Sequence, residues 1–117
     1  MPDTLSELFK VIVSRRPADP EHSYVASLHQ AGLDKILEKV GEESIELILA
    51  AKNQEPGGPS ERLISEMADL WFHTMVMLAH LDLDHTDVLK VLDARMGLSG
   101  LAEKAARKGH NAASEDA

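Results

Sequence analysis

The sequence predicts an all-α fold, a helical bundle with a long central antiparallel helix hairpin, assembled as a homodimer. Three observations carry that reading. Apolar residues recur at helical spacing along most of the chain, and no stretch alternates with period 2 over the length of a strand. Aromatic residues make up only 3% of a chain that is 44% apolar. Leu, Ile, Val, Ala and Met must therefore build the core, which suits helices better than sheets. A chain of 117 residues fits one hydrophobic core. We read one domain over residues 1–108, followed by a flexible tail, small and polar, over 109–117.

Each element has its own signal. Thr4 and Glu7 form a capping box, and Leu5, Leu8, Phe9, Ile12 and Val13 follow at helical spacing as far as Arg15-Arg16-Pro17. Pro17-Ala18-Asp19-Pro20 reads as a loop, after which Ser23 caps a short helix that stops near Gly32. A long helix runs from about Leu33 to Asn53 and ends at Pro56-Gly57-Gly58-Pro59, the strongest breaker cluster in the chain. Ser60 starts its partner, which reaches about Leu81, and the short connector makes the two pack antiparallel. Asp84 caps a further helix through Ala94. Gly97 and Gly100 flank a turn, and a last short helix reaches about Lys108.

Charge narrows the function classes. With 20 acidic against 12 basic residues the formal charge is −8, which opposes general binding to nucleic acid or to anionic membranes. An anionic substrate needs bridging cations here. The absence of cysteine removes disulfides and thiolate metal sites. Met1-Pro2-Asp3 lacks the features of a secretory start, and the most apolar stretch, Met67 to Leu81, is interrupted by Asp69, His73 and His80. The expectation is a soluble cytoplasmic protein.

The chemistry lies on the two long helices. At 100° per residue, Leu33, Ile36, Val40, Leu47, Ile48 and Ala51 share a face of the first, which we read as its core stripe. Lys39, Glu43 and Glu46 form a second stripe beside it, and Ile45 and Leu49 lie round the other side, where a second subunit would cover them. On the partner helix Arg62, Glu66, Asp69 and His73 form the one polar stripe. Leu63, Met67, Leu70, Trp71, Phe72, Met75, Val76 and Leu78 take most of the rest. Packing both polar stripes inward brings Glu43, Glu46, Glu66 and Asp69 together. Such a cluster repels itself and resists desolvation unless hard cations bind in it, and oxygen-only ligands select Mg²⁺ or Mn²⁺ over Zn²⁺.

Each pair taken alone is also a common pattern on a solvated helix face. A di-iron bundle would use Glu-x-x-His, but Phe72 follows Asp69 by three. Lys39, one turn before Glu43, is a candidate phosphate ligand or simply the partner in a helical salt bridge. Glu42 is an outer ligand, a base or an exposed side chain. His73 either contacts substrate or is a hydrogen-bonded core histidine. His22, His29, His80, His85 and His110 form no recognised metal-ligand spacing with one another, and no phosphate loop, His-Glu-x-x-His or nucleophile elbow is present.

Glu43-x-x-Glu46 followed by Glu66-x-x-Asp69 resembles the signature of the all-α nucleotide pyrophosphohydrolases. Asp19-Pro20-Glu21-His22-Ser23-Tyr24, Lys39-Val40-Gly41-Glu42-Glu43-Ser44-x-Glu46 and Glu66-Met67-Ala68-Asp69-Leu70-Trp71-Phe72-His73 are similar to the phosphoribosyl-ATP pyrophosphohydrolase family. Ser99-Gly100-Leu101-Ala102-Glu103-Lys104-Ala105 resembles one branch of it. Ser44 stands where Ala is usual, and Trp71-Phe72 where Leu-Tyr is common.

The resemblance implies a single-function homodimer that splits phosphoribosyl-ATP into phosphoribosyl-AMP and pyrophosphate, the second step of histidine biosynthesis. It implies Glu43, Glu46, Glu66 and Asp69 as metal ligands, and one glutamate among Glu42, Glu43 and Glu46 to orient or deprotonate water. Lys39 would bind a phosphate, and Lys35, Arg15 and Arg16 are candidates for the ribose phosphate. Ser23 and Tyr24 would line the pocket, from the neighbouring subunit, and His73 would contact substrate. Two rivals stand beside this reading. One is a housecleaning enzyme of the same superfamily that destroys noncanonical nucleoside triphosphates, and the other is a non-catalytic helical interaction module.

Overall fold

The structure, a computed structural model, describes residues 3–96 and Arg107. Five helices follow one another: α1 (Thr4–Arg15), α2 (Tyr24–Ala31), α3 (Leu33–Lys52), α4 (Glu61–His80) and α5 (His85–Arg95). No strand occurs among the described residues. The last short helix expected up to Lys108, the Ser99 to Ala105 motif and the tail lie outside the described residues, Arg107 apart. Among the described residues, the chain up to His85 forms one compact unit and the chain from Thr86 a second. No described helix is long and apolar enough to cross a membrane.

The caps explain the boundaries. Asp3, not Thr4, is the N-cap of α1: its side chain accepts from the Ser6 backbone N–H, and Thr4 is already helical. A carboxylate at the N-cap also meets the positive end of the helix dipole. Ser23 caps α2 by accepting from the Ala26 N–H. Gly32 ends α2 and begins α3 in one residue, at φ 102° and ψ 176°, which only glycine adopts without strain. α4 stops where Asp82 takes a left-handed φ of 59°, with the Leu83 N–H bonded back to the Leu78 carbonyl.

α3 and α4 must be antiparallel. Each has 20 residues, about 30 Å of helix, and the link between them does not span that length, because it folds into a turn closed by the Gly58 N–H on the Glu55 carbonyl. The buried core gathers at one end of this hairpin: Phe9 and Ile12 of α1, Val25 and Leu28 of α2, Ile36 of α3, and Met75, Val76 and Ala79 of α4. The other half, toward the Pro56 turn, has no such cover. There Ile45, Ile48 and Leu49 of α3 and Ile64, Met67 and Trp71 of α4 all remain exposed.

The expected core stripe of α3 is rotated. Ile48 is 64% exposed and Ala51 is also outside, while Ile36, Glu43 and Ala50 are the buried positions, with Val40 and Leu47 half-buried between them. That spacing is a heptad, the geometry of helices packed along their length. The middle of the inward seam is therefore a carboxylate. Residue polarity had suggested that Ile48 belonged inside, and helix packing placed Glu43 there instead. α4 repeats the pattern, with Leu63, Glu66, Leu70 and His73 turned inward.

Candidate active site

Glu43, Glu46 and Glu66 each bring a carboxylate oxygen within 4.8 Å of the other two. Glu43 is 7% exposed, Glu66 half-buried and Glu46 open to solvent. Asp69 lies outside this trio, exposed on α4, yet close enough to repel both Glu43 and Glu66. One oxygen each of Glu43 and Glu66 is buried with no hydrogen-bond partner.

Electrostatics register the crowding. Burial pushes the Glu43 carboxyl up to about 7, and Glu46 and then Asp69 add to the rise, while Lys39 opposes it. Glu66 is raised by the same causes, desolvation first, then Glu46 and Asp69, with Arg62 opposing. Buried anions without donors are costly. A hard divalent cation would supply what these oxygens lack, since it takes oxygen ligands and its charge would offset the mutual repulsion. The donor set fits Mg²⁺ or Mn²⁺.

The flanking candidates divide into groups. Lys39 donates to Glu42 at 3.0 Å, and this bond comes first among the causes that hold the Lys39 ammonium above its ordinary value. The same bond lowers the exposed Glu42 carboxyl, making it a weaker base. Lys39 also feels Tyr24 and Glu43, so its charge borders the cluster. Lys35 pairs with Glu38 at 3.6 Å on the exposed side of α3. Arg15 lies exposed at the end of α1, and Arg16 is engaged with the Ala79 carbonyl and Asp82. The Ser23 hydroxyl is occupied by its cap.

His73 is buried, with both ring nitrogens engaged. Nδ1 lies 2.8 Å from the Asp69 carbonyl, which can only accept, so Nδ1 carries the proton. In the neutral ring Nε2 then accepts from the Tyr24 hydroxyl at 2.9 Å. The hydrogen-bonded core histidine, one of the two readings of its sequence position, describes His73 as it stands. Tyr24 itself also stacks on Phe72, with ring centroids 6.1 Å apart and planes 18° apart.

Spacing alone did not find three contacts that join distant segments. His29 and His80 meet Nδ1 to Nδ1 at 2.9 Å, Ser6 reaches His85 at 3.1 Å, and Tyr24 reaches His73. None involves neighbours on one helix face. The burial of Glu43 did have a signal, the heptad running from Ile36 through Val40 to Leu47 and Ala50.

The sequence profile of the phosphoribosyl-ATP pyrophosphohydrolase family matches residues 5–96, which include both carboxylate pairs. Phosphoribosyl-ATP pyrophosphatases of Burkholderia vietnamiensis (strain G4 / LMG 22486) and Burkholderia multivorans (strain ATCC 17616 / 249) are similar to the chain. Each is 53% identical over 106 residues, covering 91% of this chain and 88% of its own length. On these matches, which cover most of its length, the chain belongs to the phosphoribosyl-ATP pyrophosphohydrolase family.

Proposed function

We propose that this chain hydrolyses phosphoribosyl-ATP to phosphoribosyl-AMP and pyrophosphate, the second step of histidine biosynthesis, with Mg²⁺ held by Glu43, Glu46, Glu66 and Asp69. The observation that carries the metal assignment is the pair of buried, partnerless carboxylate oxygens on Glu43 and Glu66. Two helices each contribute one. A fold that needed these side chains only for packing would have little reason to desolvate them together.

Bound there, the cation neutralises phosphate charge and acidifies water. The chain's own residues do the rest. Glu43 and Glu66 would be the inward ligands, positioned by helix packing, whereas Glu46 and Asp69 are exposed and would be free to turn toward a water or a second ion. Lys39 offers an ammonium one helical turn from Glu43, where it can hold a phosphate in exchange for its bond to Glu42. Water is the attacking group of the hydrolysis proposed, and a glutamate among Glu42, Glu43 and Glu46 would orient or deprotonate it.

The proposal includes the homodimer. Ile45, Ile48, Leu49, Ile64, Met67 and Trp71 leave an apolar surface on the uncovered half of the hairpin, and a second hairpin would cover it as a four-helix bundle. Product analysis by chromatography tests the activity. Phosphoribosyl-ATP is expected to give pyrophosphate and phosphoribosyl-AMP, and to be used far faster than noncanonical nucleoside triphosphates. Orthophosphate as first product, or a preference for the noncanonical nucleotides, contradicts the reading.

A further inference from the structure

Tyr24 is unusual for a tyrosine at the surface. Exposed tyrosines ordinarily keep the hydroxyl in water and lay the ring against protein. Here the hydroxyl is turned toward the buried ring of His73, which is itself fixed by the Asp69 carbonyl, yet the residue remains 51% exposed. With the hydroxyl so engaged, much of that exposure belongs to the ring. One ring face lies over Phe72 and an edge meets His73 at a centroid distance of 5.8 Å. About half of the residue's surface remains open to solvent.

Two fixed points orient this ring, the hydrogen bond at its tip and the stack on Phe72. An aromatic held in that way loses little freedom when something flat is laid on it. Its position suggests what that is. His73 lies one helical turn beyond Asp69, and Lys39, which neighbours Tyr24, lies one turn before Glu43. Four residues rise about 6 Å along a helix. The exposed ring is therefore displaced along the hairpin from the carboxylates by about one helical turn, about the length of a ribose phosphate, and Lys39 interacts electrostatically with both Tyr24 and Glu43.

We infer that Tyr24 is the base-stacking residue of the nucleotide site: the adenine ring lies on the exposed part of its ring while the phosphate chain runs past Lys39 to the metal at Glu43, Glu46 and Glu66. This rests on the nucleotide pyrophosphohydrolase reading and adds the base subsite to it. Stacking is tolerant of base identity, because every base has a π-face. Tyr24 accordingly sets affinity for the nucleoside end, while the chemistry is left to the carboxylates.

Calorimetry of the full chain with Mg²⁺ tests the assignment, using α,β-methylene-ATP, which cannot be cleaved at the reacting linkage, and inorganic tripolyphosphate, which has no base. Tyr24→Leu should weaken the methylene nucleotide by about tenfold or more and leave tripolyphosphate within about twofold. Tyr24→Phe loses the same hydrogen bond to His73 but keeps the ring, and should bind the nucleotide within a few-fold of wild type. Equal nucleotide affinity in Tyr24→Leu and wild type overturns the stacking role while leaving the nucleotide site standing. Parallel loss of both probes, or in Tyr24→Phe a loss as large as in Tyr24→Leu, overturns it in favour of a structural role through His73. If Tyr24→Leu dissociates a dimer at unchanged nucleotide affinity per folded chain, the ring face is a subunit contact instead. Wild type that binds neither probe removes the nucleotide site itself, and this inference with it.

Discussion

Replacing Glu43 by Gln should make the metal-free protein more stable while destroying its activity. Burial and the neighbouring carboxylates raise Glu43 from 4.5 to about 7 in the folded state. A folded-state value above the unfolded one means that the native protein retains a proton the unfolded chain has released. Glu43 therefore costs nothing below about pH 4.5, and stability is lost as pH rises through about 7. At 1.36 kcal/mol per pH unit the full cost at pH 8 is about 3 kcal/mol. An amide cannot ionise, so the Glu43→Gln variant recovers most of it, which for a chain of this length is a rise of about 10 °C in Tm. At pH 5 the gain should fall below about 1 kcal/mol. Thermal melts followed by circular dichroism in excess chelator, at fixed protein concentration and at both pH values, measure the difference. A Glu43→Gln protein no more stable than wild type at pH 8, or equally stabilised at both pH values, would refute the claim that Glu43 is a desolvated and electrostatically crowded anion.

The remaining predictions probe the other parts of the account. Mg²⁺ at a hundredfold excess over its dissociation constant should stabilise wild type by roughly 2.7 kcal/mol per site. Both Glu66→Gln and Asp69→Asn should shrink that gain and lose most turnover, whereas Glu55→Gln, beside the turn, should change neither property. Ile48→Asp places a charge on the exposed apolar surface of α3 and should shift sedimentation at micromolar concentration toward monomer, and an unchanged dimer would place the subunit contact elsewhere. Gly32→Ala should destabilise the fold by about 2 kcal/mol in urea titrations, because φ 102° is closed to a residue with a Cβ. The space around Gly32 is open, so a neutral outcome would mean that the α2–α3 junction relaxes.

Much of this architecture was legible because its signals are local. Ser23 by its side-chain cap, and Gly32 and the Pro56 to Pro59 cluster by backbone chemistry, mark helix ends locally, and the long hairpin follows from where they fall. Asp3 was missed because Thr4 and Glu7 satisfy the same capping pattern one residue later. The carboxylate pairs were legible by spacing, and the heptad through Glu43 carried a signal of its depth that residue polarity outweighed. Glu43 was expected at the margin of a core stripe containing Ile48, and it occupies the seam itself because packed helices follow a heptad whatever the polarity of its residues. Asp69 was expected alongside the other three and stands apart, since its direction from α4 depends on how that helix is rotated against α3. Tyr24 and His73 are 49 residues apart. Only tertiary structure shows that they hold one another, and that the tyrosine ring is what remains presented to solvent.

The central claim is that Glu43, Glu46 and Glu66, together with Asp69, hold the divalent cation on which phosphoribosyl-ATP hydrolysis depends. Anomalous diffraction from crystals soaked in Mn²⁺ tests it most directly. A peak between α3 and α4, about 2.1 Å from carboxylate oxygens of Glu43 and Glu66, is the predicted result. A peak only at the exposed group Asp19, Glu21 and His22, the other cluster with metal-ligand geometry among the described residues, would contradict it, as would an empty trio in crystals of protein that is active with Mn²⁺.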